Sequence, residues 1–276
     1  MALTITSKFD SSSASSKLVV TESNGHWYDA EGRSAHVIIG ANGKERNTTV
    51  SDARKIGLLP SVTSIIGVLD KPQLTSWKIE QAIMSSLTLP KEADETLETY
   101  ARRVVKDSKE STTKAAEHGT KMHEQAENIL MGRAVCKDEY LQPYIETFKK
   151  WADENVEKTY WCEKALVGAG YAGRCDAYVK LKGIGDAIVD LKNRKVNPKY
   201  PTPFYDTDCA QIFAYLSASE NPKAAGVSIV LASNDSSKIM TKVWDEDELY
   251  QAGIAFCAMQ KVWAWVKGYT PPGMKL

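Results

Sequence analysis

The chain has 276 residues, of which 43% are hydrophobic and 25% charged, ordinary proportions for a folded globular protein. They exclude a collagen-like, coiled-coil or wholly disordered chain, and no apolar run is long enough to cross a membrane. Lysine plus arginine and aspartate plus glutamate both number 35, so bulk charge does not make this a nucleic-acid coat, although a local basic groove remains open.

Residues 1–24 are rich in Ser and Thr and lack both a sustained apolar period and an apolar signal core. They predict a flexible start with no secretion signal, and hence a cytoplasmic location. Residues 25–276 read as one domain: a small hairpin at 25–55, a helical front at 56–158, and a sheet core with a C-terminal helix at 159–276. The hairpin is expected because the β-like runs His26–Asp29 and His36–Gly40 flank the turn formers Glu31-Gly32-Arg33. Pro60-Ser61-Val62-Thr63 then opens a helix, with Ser or Thr capping its first turn. Further helices are predicted at 73–86, 108–131 and 138–158, the last from the helical spacing of Leu141, Tyr144, Ile145, Phe148 and Trp151. From 159 onward the pattern changes to strand lengths, at 159–167, 171–182 and 186–194, punctuated by Gly168, Gly170, Gly183 and Gly185. A helix at 206–219, strands at 226–233 and 238–244, and a helix from Asp247 to Lys267 complete a β-β-β-α-β-β-α order. Trp263 and Trp265 fall on different faces of that last helix, so at most one belongs to the core.

Cys136, Cys162, Cys175, Cys209 and Cys257 are odd in number and scattered, with no CxxC pair. Free thiols are expected, rather than a disulfide framework or a thiolate-held zinc or iron–sulfur cluster. No GxxxxGK[ST] motif occurs, so no ATP-driven motor is expected.

Chemistry is concentrated in Gly170-Tyr-Ala-Gly-Arg-Cys-Asp176 and in Ile188-Val-Asp190-Leu-Lys192. Antiparallel neighbours joined by a short turn can bring Asp176 and Asp190 side by side. The strand period of two sends Asp190 and Lys192 to one face and Leu191 to the other. Two carboxylates can hold Mg²⁺ or Mn²⁺ through oxygen, and a lysine beside them can orient a water or neutralise charge on phosphorus. The bland reading is a solvated salt-bridge face, with Asp176 merely capping the turn after Gly173. Upstream, Gly119-Thr-Lys-Met-His123-Glu124 places His123 four residues after a glycine on a helix face. Downstream, Gln211 and Tyr215 share a helix face, pointing either toward a phosphate or base or to solvent.

The ordered set His123, Asp176, Asp190-x-Lys192, Gln211-x-x-x-Tyr215 resembles the RecB-type exonuclease branch of the PD-(D/E)XK nuclease superfamily. Leu59-Pro-Ser-Val-Thr-Ser-Ile-Ile66, with Trp77-Lys78 downstream, is similar to the front end of phage exonucleases and of the mitochondrial genome maintenance exonuclease. The resemblance covers roughly residues 55–220. It implies an α/β restriction-endonuclease-like fold, with a central mixed sheet flanked by helices and a helical arch in front. It also implies His123, Asp176, Asp190 and the Leu191 backbone carbonyl as ligands of Mg²⁺ or Mn²⁺, Lys192 positioning or deprotonating the attacking water, and Gln211 and Tyr215 holding the DNA backbone. Glu163 matches a position that is often acidic; ligand, hydrogen-bond partner and structural residue all remain open for it. By the same resemblance Ser61 and Thr63 touch the substrate strand, while by residue type alone they are helix caps. The chain lacks the four cysteines that hold an iron–sulfur cluster in some members, which places it with the cluster-free ones.

The implied activity is metal-dependent exonucleolytic cleavage of DNA to 5′-phosphate and 3′-hydroxyl ends, in phage or bacterial recombination, repair or DNA breakdown. For a phage-encoded chain the setting is the cytoplasm of the bacterial host, with a single-strand annealing or binding protein as a recombination partner. Local basic runs fit a DNA path: Arg102, Arg103, Lys106, Lys109, Lys114 and Lys121 in one, and Lys180, Lys182, Lys192, Arg194, Lys195 and Lys199 in the other. The alternatives are a structure-specific endonuclease on the same scaffold and a non-catalytic DNA-binding recombination module.

Overall fold

The computed structural model describes residues 26–199 and 202–275; the flexible start expected at 1–24 lies outside the described residues. The first elements are short: β1 (Trp27–Tyr28), β2 (Val37–Ile39), β3 (Glu45–Asn47), α1 (Val50–Ile56), β4 (Leu59–Pro60) and α2 (Val62–Ile66). The hairpin expected from His26–Asp29 and His36–Gly40 is reduced to a single bridge between Tyr28 and Ser34. Instead β2 pairs with β3, Val37 opposite Asn47, and β1 pairs with β4, Trp27 opposite Pro60. Turn chemistry explains the first pairing: Asn42 accepts the Lys44 amide through its side chain, and Gly43 takes φ +73, a conformation glycine adopts freely. Burial explains the second, because Trp27 and Tyr28 are buried and Leu59-Pro60 offers a buried edge. Helix α1 also lies inside the span expected to be hairpin, fixed by a Thr49–Asp52 capping box.

Next come α3 (Pro72–Thr88), α4 (Leu97–Leu130) and α5 (Gln142–Asn155). α4 begins at Leu97 rather than 108, capped by Thr96 onto the Thr99 amide. Its first turns carry little apolar period because they lie beside α3 rather than in the core, held there by the Tyr100 hydroxyl on the Ser86 and Leu89 carbonyls.

The remaining elements are β5 (Val156–Gly168), β6 (Tyr171–Leu181), β7 (Gly185–Arg194), α6 (Asp206–Ala218), β8 (Ala225–Ala232), β9 (Ile239–Trp244) and α7 (Glu246–Lys267), in the expected order. Together the strands form a mixed five-stranded sheet in spatial order β5-β6-β7-β8-β9. Hairpin turns make β5–β6, β6–β7 and β8–β9 antiparallel, while the α6 crossover makes β7–β8 parallel. Helices cover both faces. On one, Phe148 and Ile145 of α5 and Met122 of α4 pack on Val179, Val189, Leu191 and Ile229. On the other, Ile212 of α6, Phe256 and Trp263 of α7 and Ile65 of α2 share a core with Ile188. Gly226 lets α6 lie this close to β8, since a Cβ there would sit 2.4 Å from Ile212 Cγ2. Trp263 is core and Trp265 is 82% exposed. Among the described residues no helix is long and apolar enough to cross a membrane.

Candidate metal centre

β6 and β7 separate where the acidic residues lie. Their ladder runs from Leu181–Gly185 to Ala177–Val189 and ends there, while β6 continues beside β5 and β7 beside β8. Asp176 occupies the mouth of this fork and accepts the Leu191 amide on Oδ2 at 2.7 Å, where a ladder bond would otherwise have formed.

At the same level the outer strands change faces. Trp161 and Leu166 of β5 meet the α6–α7 core although they are five positions apart, an odd spacing, and Cys162 meets the α4–α5 core. Cys175 and Ala177, two apart on β6, likewise enter different cores. Register is kept across this point, Cys162 opposite Ala177 and Lys164 opposite Cys175, so both strands turn over together at Glu163 and Asp176. Glu163 carries the turn with φ +51, the one positive φ outside glycine among the described residues. A side chain in that region is strained by about 1 kcal/mol or more. Two carboxylates thus face each other across the ladder, an arrangement unfavourable without a cation.

α4 completes the group from above. His123 Nδ1 lies 3.3 Å from Asp176 Oδ1. One ligand atom each from His123, Glu163 and Asp176 lie within 4.8 Å of one another. A cavity of about 20 Å³ adjoins them, with Glu127 on its wall and Phe148, Val189 and Leu191 beneath. It has room for one water-sized body. Glu127 was not singled out in the sequence, although it follows His123 at i+4 on the same helix face.

Asp190 does not belong to that triad of ligand atoms. It faces α6, 1% exposed, and binds Lys192, whose ammonium donates to Asp190 Oδ1 at 3.0 Å and to Gln211 Oε1 at 2.9 Å. Asp190 Oδ2 lies 2.8 Å from the same nitrogen but accepts no well-directed hydrogen bond, leaving a buried oxygen available. Gln211 Nε2 donates to the Tyr215 hydroxyl at 3.1 Å, which donates to the Arg174 carbonyl at 2.9 Å. Gly173 makes room for this, because a Cβ there would come within 2.9 Å of Tyr215 Cε1. Gln211 and Tyr215 are therefore buried supports of Lys192, neither a solvated helix edge nor side chains open to a DNA backbone.

Burial dominates the electrostatics. It pushes Asp190 up to about 6, against the pull of Lys192 and with the repulsion of Asp176. It pushes Asp176 up as well, yet the His123 ring, Lys192 and the Leu191 amide outweigh it and hold this carboxyl below its usual range. Burial and the Asp176 charge raise Glu163. Burial works against the charged Lys192, but Asp190 and Asp176 reverse that and keep it an ammonium. Burial lowers His123, and Asp176 more than restores it. Cys162 is pushed up to about 12 by burial, so it stays a thiol rather than a competing ligand.

The other expected contacts divide. Ser61 is buried as the N-cap of α2, accepting the Ser64 amide at 3.0 Å, which is the capping alternative. Thr63 is exposed at the edge of a groove of about 620 Å³ that also takes in Lys71, Lys78 and Lys267. Lys195 is exposed, and Lys121 is exposed with its ammonium 3.7 Å from Asp138. Arg194 is not offered to solvent: it forks onto Asp208 at 2.8 and 3.0 Å, donates to the Pro203 carbonyl and lies over the Tyr205 ring. No protein-family model matches the chain, and no curated protein matches it in sequence.

Proposed function

We propose that the chain is a Mg²⁺- or Mn²⁺-dependent deoxyribonuclease with a restriction-endonuclease-like core, akin to RecB-type exonucleases. The observation that carries this reading is the fork itself. Two carboxylates and an imidazole gather where β6 and β7 part, the buried Asp190 adjoins them with one oxygen that accepts no directed hydrogen bond, and the half-buried Lys192 is held against it. Carboxylates held this close together favour a cation between them. Two carboxylates and one imidazole within 4.8 Å suit a hard or borderline divalent ion, the imidazole favouring Mn²⁺ over Mg²⁺. The antiparallel meander β5-β6-β7 followed by the α6 crossover to a parallel β8 supports the same core.

His123, Glu163 and Asp176 would hold the ion, with Asp190 and the Leu191 carbonyl adjoining. When bound there it supplies polarisation of a phosphate oxygen and a lowered pKa for water. Asp176 fixes the fork through the Leu191 amide and orients His123. Lys192 keeps its proton, so its ammonium orients the attacking water and opposes charge growing on phosphorus. Gln211 accepts from that ammonium and is itself held by Tyr215, so the two keep it in place. Thr63, Lys121 and Lys195 remain as exposed contacts for DNA. Work on free ends fits recombination, repair or DNA breakdown in a bacterial host cytoplasm, alongside a single-strand annealing or binding protein.

The test uses linear DNA labelled at either end, single- and double-stranded, with closed circles as control. It is run in Mg²⁺, Mn²⁺ or EDTA on wild type, Asp190→Ala and Lys192→Ala. Metal-dependent loss of linear DNA only, abolished in both folded variants, is expected. Cut circles would show an endonuclease; binding without cleavage would show a recombination module. Full activity in either variant would remove these residues from the mechanism.

A further inference from the structure

The groove of about 620 Å³ beside Thr63 is lined by Lys71 and Lys78 of the α3 region and by Lys267 at the end of α7. No carboxylate lines it, although acids and bases are equal in number over the whole chain. Among the described side chains no acid lies within ion-pair distance of these three ammonium groups. Residues 1–25 join the chain at His26 and bring two carboxylates, Asp10 and Glu22, one fewer than the ammonium groups. Three like charges on one concave surface repel one another, and an anion between them removes that cost.

A second feature of the groove points to the kind of anion. His26, exposed at its edge, stacks on His36 with ring centroids 4.5 Å apart and planes 18° from parallel. The lower ring is fixed, because His36 Nδ1 accepts the Trp27 amide at 2.9 Å and Tyr28 stands edge-on to it at 5.1 Å. His26 is therefore an aromatic platform of the sort on which unpaired bases stack. A base inside a duplex has both faces covered and cannot use it. The volume agrees, since it suits a small molecule or a short length of strand.

The groove also leads back to the fork. Tyr28 is close enough to Arg174 to feel its charge, and the Arg174 guanidinium lies 3.8 Å from Glu163. Thr63 shares a hydrogen bond with Ser61, which bridges to Ala172, four residues before Asp176 on β6. Four strand residues span about 13 Å, the length of a few nucleotides.

We infer that this groove is a single-strand subsite, in which a base stacks on His26 and neighbouring phosphates lie on Lys71, Lys78 and Lys267. Thr63 and Asn47, both exposed on the same surface, donate to the strand. The choice of DNA as that strand rests on the nuclease reading, whereas the binding itself needs no metal.

The test reads the fluorescence anisotropy of a labelled oligothymidylate of about 20 nucleotides, and of a duplex of equal length, against the full chain in EDTA over a salt series. The wild type should favour the single strand. Replacing Lys71, Lys78 and Lys267 together by Ala should reduce the slope of log K against log[salt] by about 2, with Tm held near the wild-type value. His26→Ala should weaken single-strand binding about tenfold at unchanged slope, and His26→Phe should restore it. A wild type that binds neither strand, or binds the duplex as tightly, overturns the inference. So does a triple variant that keeps the wild-type slope, as it would if residues 1–25 filled the groove, and so does a His26→Ala chain that binds as tightly as wild type. Cleavage in Mg²⁺ or Mn²⁺ separates the two readings. A chain that cleaves while the triple variant keeps its slope loses the groove and keeps the nuclease; one that binds through the groove and never cleaves loses the nuclease alone.

Discussion

Asp190 and Lys192 occupy one face of β7 as a period of two requires, and the consequence is a titration that can be measured. The Asp190 carboxyl is ordinary at 3.8 in an open chain and is raised to about 6 in the fold. Between those values the folded state holds more protons than the unfolded one, so the metal-free protein loses stability as pH rises through that window. The contribution is complete below pH of about 4 and gone above about 6. Thermal unfolding in EDTA from pH 4 to 7 should show this decline in wild type and not in Asp190→Asn; parallel curves would mean that Asp190 does not titrate there. The sequence showed which residues share this face. It did not show that Gln211 and Tyr215 turn inward, because an i, i+4 pair on a helix looks the same whether it faces solvent or the lysine of a neighbouring strand.

At the scale of elements, the simultaneous turning-over of β5 and β6 builds the centre. Glu163 accepts a left-handed backbone there and lies opposite another carboxylate, so it works against stability in the absence of a cation. Glu163→Asn, which tolerates positive φ and removes one charge, should stabilise the metal-free chain by about 1 kcal/mol. It should also weaken Mn²⁺ binding about tenfold or more by calorimetry, and unchanged affinity would leave Glu163 a structural residue. No local pattern announces a glutamate at φ +51; only the sheet's need to pass from one core to the other does.

The strand end after β7 carries a second contrast. Arg194 and Lys195 are neighbours in one basic run, yet the fold gives Arg194 to Asp208 at the start of α6 and leaves Lys195 exposed. Arg194→Lys should lower stability by about 1–2 kcal/mol, since an ammonium cannot reproduce the two-pronged bond, with little change in the salt dependence of DNA binding. Lys195→Ala should do the reverse, reducing the salt slope by about 1 at unchanged Tm. The opposite pattern would make Arg194 the contact.

For the whole molecule, the two faces of one sheet divide the work. The α4–α5 side supplies His123 and Glu127 over an apolar floor, and the α6–α7 side supplies the Lys192 network. On the proposed reading an ion at the fork would join the two sides, so Mn²⁺ at 100 times its Kd should stabilise the fold by about 2.7 kcal/mol. Scanning calorimetry should show a raised Tm that EDTA reverses and that Asp176→Asn lacks. An equal rise in that variant would put the ion elsewhere.

Taken by itself, the sequence determined the β-β-β-α-β-β-α order and the shared face of Asp190 and Lys192, and left open which of Trp263 and Trp265 is core. These follow from periods of two and 3.6, which are local properties of the chain. Tertiary structure alone decided the pairing of β1 with β4 in place of a local hairpin, the burial of Tyr215 and the commitment of Arg194 to Asp208. It also decided the meeting of His123, Glu163 and Asp176 within 4.8 Å. Each depends on which distant surface a residue meets, and long-range burial can override what neighbouring residues prefer.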